Sequence, residues 1–456
     1  MKLIRLLPVL SGLCGAALCL PAAAQDAATT AEVEALKAEV ARLQAELSQA
    51  QAALAAHETA AGSASVAATM APDPEPDPAP ATKPLFPALE GLRIGGAVRV
   101  NYYGGDYTDN SPATAADAAG NGAVALDTFR VNVDYARGPW SAKAEYRMFR
   151  GYYGNDSYHF LHTGWIGYEF ENADTLQVGV NRVPFGPGPY GISQSWFFDQ
   201  HYYVGLADDM DLGVKYSGTR GDWDFDVAYY VSDEGSWSGS TRDSARYSYD
   251  VVNESGSGYG ERNQFNARAI RHFTAGEWSF DVGASAQWGQ LHSYGPQDDG
   301  DHYAFSFHPT ARWQNWTFAA QLTTYRLNVD AAQPLGTDTL VQFGAYDFPT
   351  TLAADAWLGS ASLSYTLQTP TIAWLDYLVP YLEYSSINKR EAGFNDSELL
   401  TYGVAWAHGG WYIYTEVARS NGNDFVGNLG GFNSRFGANP NARWLTRYNL
   451  NFGYYY

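Results

Sequence analysis

Cysteine is nearly absent. The 456-residue chain has two, Cys14 and Cys19, both near its start, so no disulfide framework can staple the fold. Charge is sparse as well: Asp, Glu, Lys and Arg together make up 17% of the residues, against roughly 25% in soluble domains. Basic residues are the scarcer sign, 28 Lys and Arg against 49 Asp and Glu, for a formal net charge of −21. That balance argues against a nucleic-acid-binding surface. Beyond the first segment no run of eighteen apolar residues occurs, so no helix is expected to span a bilayer. What the chain does have is 33 Tyr, 22 Phe, 14 Trp and 46 Gly. Such aromatic content excludes disorder along the whole length. The combination is that of a transmembrane β-barrel, where lipid-facing apolar residues alternate with polar residues of the lumen.

The first stretch, MKLIRLLPVLSGLCGAALCLPAAAQ, has the charged start (Lys2, Arg5), short apolar core and small-residue end of a secretory signal peptide. Cleavage is expected after Ala24, so residues 1–24 and both cysteines leave with it. A lipoprotein signal is disfavoured because Leu13 and Leu18 precede the cysteines. Within residues 25–60, Val33, Leu36, Val40, Leu43, Leu47, Ala50 and Leu54 alternate three and four apart among strong helix formers. A lone helix of this length is marginal in water. The expectation is a small periplasmic coiled coil that reinforces an oligomer, with an unpartnered, solvated helix as the alternative. Residues 61–88 carry APDPEPDPAPATKP, an extended acidic spacer.

From residue 89 to 456 the apolar period changes to two. The end of the chain shows it most clearly: Trp444, Tyr448, Leu450, Phe452, Tyr454 and Tyr456 share one face, and Arg447, Asn449 and Asn451 the other. A long amphipathic strand with a terminal aromatic looks like an assembly signal of outer-membrane proteins. As an exposed edge it would aggregate, so barrel closure is expected. Similar segments recur with gaps that alternate short and long. The count gives sixteen antiparallel strands, seven short turns and eight long loops, which puts both ends of the barrel on the periplasmic side. Pro309 and Pro380 fall inside two of these strands, where proline interrupts a ladder, and they leave fourteen or eighteen strands as alternatives. A barrel this wide encloses a water-filled lumen, and the expected function is passage of small hydrophilic solutes.

At this point the chain resembles the phosphate-selective porin family, the porin O and P type. The resemblance rests on WIGYEFENADTLQVGVNRVPFGPGPYGISQSWFF (Trp165 to Phe198), on LDTFRVNVDYARGPWSAKAEYRM (Leu126 to Met148) and on VPYLEY at Val379 to Tyr384. It implies a homotrimer, a short N-terminal coiled coil and a third loop entered through VPFG. The cargo it implies is small anions such as phosphate. The chain departs from the family pattern in having Phe129-Arg130 in place of paired arginines and Arg182 in place of a lysine before VPF.

Strand parity points Arg93, Arg99, Arg130, Lys143, Arg147, Lys215, Arg268, Arg312 and Arg447 inward, together with Asp134, Glu145, Asp224, Asp226, Asp281, Glu383 and Glu416. Charged rings of this kind set ion selectivity. Arg130, Lys143 and Arg147 form either a basic track or cross-strand pairs with Asp134 and Glu145. The stretch from Pro184 to Met210 is unusually apolar for a loop. With Arg182, Pro184, Phe185, Tyr190, Trp196, Phe197 and Phe198 it is expected to fold inward as a constriction, or else to pack outside as a lid. The acidic stretches Asp208-Asp209-Met210-Asp211 and Asp298-Asp299-Gly300-Asp301 are expected to be solvated mouth loops that face lipopolysaccharide and its divalent cations. An ordered calcium loop is not expected, since the twelve-residue pattern is missing. No cofactor or metal is expected.

Two other classes were weighed. An enzyme is disfavoured: no G-x-S-x-G or H-E-x-x-H motif occurs, and His159, His162, His201 and His302 look like isolated, solvated histidines. A structural tether, with the coiled coil holding the cell wall, is compatible with a porin.

Overall fold

The computed structural model describes residues 90–107, 122–150, 157–427 and 434–456. The signal peptide, coiled-coil and linker expectations lie outside the described residues. The strands are β1 (Leu92–Gly105), β2 (Ala123–Arg137), β3 (Trp140–Arg150), β4 (Ser157–Glu169), β5 (Thr175–Arg182), β6 (Met210–Arg220) and β7 (Trp223–Asp233). They continue with β8 (Asp250–Val251), β9 (Tyr259–Ala275), β10 (Trp278–Ser293), β11 (Gly300–Trp313), β12 (Trp316–Asn328), β13 (Leu340–Ala345) and β14 (Phe348–Ala353). The last are β15 (Asp355–Tyr365), β16 (Leu367–Gln368), β17 (Tyr377–Lys389), β18 (Ser397–His408), β19 (Trp411–Ser420) and β20 (Leu445–Tyr455).

Short β8, β13 and β14 form a separate three-stranded sheet. All the others pair antiparallel with their sequence neighbours, and β15 with β16 makes one barrel strand, so the wall has sixteen strands. It closes where β20 pairs with β1, from Ala97↔Tyr455 to Gly105↔Arg447. Tyr456 joins the same ladder through Gly96, N–H to O in both directions at 2.9 and 3.0 Å. Closure leaves no open edge.

The wall obeys the alternation read from the sequence. In β20, Tyr448 is 58% exposed and Phe452 42%, whereas Arg447 and Asn451 are fully buried. The exterior is therefore the apolar one, as a lipid-facing barrel requires. Five of the seven short turns are two residues long and are followed at once by tryptophan: Trp140, Trp223, Trp278, Trp316 and Trp411. The first turn residue has positive φ in each: Gly138 57°, Gly221 58°, Gly276 64°, Gln314 51° and Gly409 52°. That conformation matches the twist of the flanking strands. The tryptophan it delivers sits at the end of the apolar band, where an amphipathic ring is favoured.

Both prolines are accommodated. Pro309 pairs with Val282 of β10, while the ladder to β12 lapses between Phe307↔Leu322 and Thr310↔Ala319. Pro380 pairs with Val404 of β18, and the lapse on its other side is the break between β15 and β16. Each missing N–H costs one local pairing and leaves the strand intact.

Leu322 faces outward midway along β12. Leu322→Arg is expected to cost about 2–4 kcal/mol in equilibrium refolding into lipid, measurable by tryptophan fluorescence against urea.

Candidate functional site

The loop between β5 and β6, residues 183–209, lies inside the barrel. Ile192, Phe197, Gln200 and His201 are fully buried, and the loop's polar groups meet inward-facing side chains from around the wall. Ser193 Oγ donates to Glu383 Oε2 at 2.6 Å, and the Gln194 N–H donates to the same carboxylate. Ser195 Oγ donates to Glu416 Oε2 at 2.7 Å, joined by the Trp196 N–H at 3.3 Å, Tyr381 Oη at 2.6 Å and Asn449 Nδ2 on the other oxygen at 3.1 Å. The Trp196 indole N–H reaches Asp127 at 3.2 Å. Gly186 N–H donates to Ser285 Oγ on β10, and Gln200 N–H to Ser385 Oγ on β17. His201 Nε2 stands 2.9 Å from Thr323 Oγ1, and its Nδ1 3.0 Å from Asp199 and 3.1 Å from Ser360 Oγ. A segment held at β2, β10, β12, β15, β17 and β19 crosses the lumen.

The aromatic and apolar residues of the loop pack among these anchors. Pro184 and Phe185 are buried. Phe198 stacks on Tyr202 with centroids 4.2 Å apart. Arg447, fully buried on β20, places its guanidinium 4.7 Å from the Tyr103 ring, 5.0 Å from Trp196 and 5.1 Å from Phe197, and donates to the Phe425 carbonyl. Its charge is thus met by ring faces and carbonyl oxygen. Arg182 has the outward parity of a rim residue. Its guanidinium nevertheless turns to Asp208 Oδ1 at 2.8 Å and lies 5.2 Å from the Tyr190 ring, so the loop holds it.

The basic residues expected to face inward all have their charges met, apart from exposed Arg93, which stands opposite Asp134 in register. Arg99 meets Asp127 at 2.8 Å, Arg147 meets Glu145 at 2.5 Å and Arg130 meets Glu145 at 3.7 Å. Lys143 meets Asp134 at 3.7 Å, Arg268 meets Asp226 at 2.8 Å and Arg312 meets Asp281 at 2.5 Å. Lys215 Nζ donates to the Arg182 carbonyl at 2.8 Å. Of these, Arg130 and Lys143 pair across strands with Glu145 and Asp134, while Arg147 takes Glu145 along its own strand β3. Nearer the short turns His272 bridges Asp281 (2.7 Å) and Asp224 (2.9 Å), and this end of the wall is the more open, with His272 42% and Asp224 46% exposed.

Alternation alone missed two inward residues. At Arg99/Val100 the register with β2 shifts, so that Asp127 as well as Thr128 points inward. At Glu145/Tyr146 the shift with β4 brings in His162 beside Thr163, 3.6 Å from Glu145. A bulge adds one residue to one strand and resets its parity. No residue at either place signals it.

Two expectations are corrected. Asp208, Asp209 and Asp211 are buried rather than solvated, because the loop that carries them descends beneath the β8–β13–β14 sheet. His201 and His162 are buried, and His302 is a buried residue of β11 rather than a loop residue. The small sheet is tied down by acceptors of its own. Asp347 takes the N–H and hydroxyl groups of Ser240 and Thr241 at 2.6–2.9 Å. Burial pushes its carboxyl up, but these donors outweigh it and hold the carboxyl below its ordinary value.

No family model and no curated protein matches the chain. Solved structures do resemble it. OmpT, an outer membrane protein of Vibrio cholerae described in a trimer form, is 13% identical, with a TM-score of 0.46 over 80% of this chain and 99% of that one. The outer membrane channel DcaP of Acinetobacter baumannii is 9% identical, with a TM-score of 0.48 over 80% and 97%. An anion-selective porin from Comamonas acidovorans is 10% identical, with a TM-score of 0.47 over 80% and 99%.

Glu416→Ala would strand four donors. Each buried orphan costs about 1–3 kcal/mol, so amide exchange across Ser193–Phe198 should accelerate by at least about tenfold, read by mass spectrometry. Asp347→Asn should destabilise at neutral pH. A carboxyl held below its unfolded value of about 3.9 stabilises above that pH, and the stabilisation is lost as pH falls through the lower folded value. The difference in thermal midpoint between wild type and Asp347→Asn should therefore shrink from pH 6 to pH 3.

Proposed function

We propose that the barrel is an outer-membrane porin, a passive channel for small hydrophilic solutes whose narrowest section is set by the β5–β6 loop. The observation that carries this reading is the loop itself, anchored across a polar lumen through Glu383 and Glu416. A barrel that served only as an anchor would need no such element. The pore wall of this reading is the set of basic and acidic pairs on β1–β3, β7 and β9–β11, with Lys215 on β6. The constriction is formed by Arg182, Pro184, Phe185, Tyr190, Trp196, Phe197 and Phe198. The buried Asp199–His201–Thr323 chain is a brace for the loop rather than a catalytic group, because His201 has no exposed surface.

Selectivity on this reading is weak. Among the described residues the paired charges leave no unneutralised basic ladder, so a phosphate preference has little fixed positive charge to rest on. Assembly as a homotrimer, with the Val33–Leu54 seam as a periplasmic coiled coil and lipopolysaccharide around the exposed Asp298 and Asp299, belongs to the same proposal. So does the Trp444–Tyr456 row as assembly signal.

Planar-bilayer recording across a salt gradient tests it. Discrete steps with a small anionic reversal potential are expected. Absence of steps would end the channel reading, and a cationic potential would end the anion preference. Arg268→Ala, which frees Asp226, should move the reversal potential toward cations, and Asp226→Asn toward anions. The double variant Glu383→Gln/Glu416→Gln should raise single-channel conductance by loosening the loop.

A further inference from the structure

Where the β5–β6 loop rejoins the wall, five carboxylates gather below the small sheet. One oxygen from each of Asp209, Asp211 and Asp250 lies within 4.8 Å of the others. Asp209 ends the loop, Asp211 belongs to β6, and Asp250 belongs to β8, thirty-nine residues on. Glu234 and Glu261 stand beside them, each fixed through one oxygen: Glu234 Oε1 accepts the Ser248 N–H at 2.7 Å, and Glu261 Oε1 the Val251 N–H at 3.1 Å. Among the described residues the fully buried Arg246 is the guanidinium bonded to the group. It divides its donors among Asp250 (3.1 Å), Asp233 (3.0 Å) and Asp243 (2.6 Å).

The second observation is what these groups leave unmade. Asp209, Asp211 and Glu234 are 6%, 2% and 8% exposed, and Asp209 Oδ1, Asp211 Oδ1 and Glu234 Oε2 are buried without any hydrogen bond. Asp211 spends its other oxygen on Gln264 Nε2 at 2.9 Å, and His302 Nε2, also without a bond, stands 3.9 Å from Glu261. Buried carboxylate oxygens left without donors are costly, and one arginine does not neutralise five clustered carboxylates. Oxygens that share one Ca²⁺ at about 2.3–2.6 Å stand at most about 5 Å apart, the span found here. Mg²⁺ keeps most of its water and suits a dry, carboxylate-rich site poorly.

We propose that Asp209, Asp211 and Asp250, backed by Glu234 and Glu261, bind one Ca²⁺ that clips the end of the β5–β6 loop to the β8–β13–β14 sheet. The ion joins three separate parts of the chain, so it fixes how the loop leaves the lumen and how the mouth sheet sits above it. The site stands whether or not the lumen conducts, since it is built from the loop base and the mouth alone.

The test uses the refolded full chain in detergent at pH 7.5, stripped with a chelator. Calorimetry with Ca²⁺, and Tb³⁺ luminescence excited through the neighbouring tyrosines, should each report one saturable site per chain, and Ca²⁺ should raise the thermal midpoint by several degrees. Asp209→Asn/Asp211→Asn should abolish the site. In chelator it should also melt above wild type, because the uncompensated repulsion has gone. Asp298→Asn/Asp299→Asn, on the exposed loop, should bind as wild type. If the first double variant does not fold, Asp250→Asn and Ca²⁺-dependent protection of residues 205–211 and 248–252 in wild-type hydrogen exchange carry the same test. No saturable binding overturns the proposal. So does binding that survives loss of Asp209 and Asp211, or that disappears with Asp298 and Asp299.

Discussion

Two buried glutamates on the far wall of the barrel determine what its interior is. Glu383 and Glu416 accept between them the hydroxyls of Ser193 and Ser195, the main-chain N–H groups of Gln194 and Trp196, and the Tyr381 phenol. A sixteen-stranded wall encloses more space than its own side chains fill. A loop that enters that space must find partners for its main-chain polar groups or remain outside in water. The glutamates supply those partners opposite the strands from which the loop departs. The aromatic residues of the loop then bury themselves against Tyr103, Arg447 and the mouth sheet as a consequence of that docking.

The charged lining follows the same logic of compensation. A lone arginine or aspartate in a partly dry lumen is costly, and the wall sets several of its charges against an opposite one on an adjacent strand. Arg268 with Asp226, Arg312 with Asp281 and Lys143 with Asp134 are such neighbours. Where the carboxylates lack such partners, around Asp209 and Asp211, the departure from the pattern is large enough to call for a cation.

Much of this architecture was legible in the chain because a strand exposed to lipid on one face and polar groups on the other leaves a period of two in the sequence. The outward row of β20, the sixteen strands and the inward Glu383 and Glu416 all follow from parity. The turn–tryptophan repeat ahead of Trp140, Trp223, Trp278, Trp316 and Trp411 was equally readable, and marks the same boundary at five places. Parity fails where a bulge adds a residue, which is why Asp127 and His162 were missed. It is silent about loops. The stretch Asp208 to Asp211 reads as solvated in any local window, and only the descent of the loop beneath the small sheet buries it. The partners of Asp209 come from residues 234, 250 and 261, a juxtaposition that depends on the barrel having closed.

The two halves of the lumen wall differ in a way that bears on passage. On β1 and β17–β20 the inward positions nearest the termini are Ala97, Val379, Tyr381, Ala405, Ala407, Tyr412, Tyr414 and Tyr455, packed together and buried. On β2, β3, β7 and β9–β11 the corresponding level carries Asp134, Lys143, Asp224, His272, Asp281 and Arg312, all partly open to solvent. Tyrosines that lie against one another offer a solute little to bind. The opposite wall offers alternating signs a few ångströms apart, whose fields cancel over a short distance. An ion on the proposed route is drawn to the charged side without meeting a deep well there. Fast, weakly selective diffusion requires that combination, since a site that bound one sign tightly would hold its occupant and slow the passage.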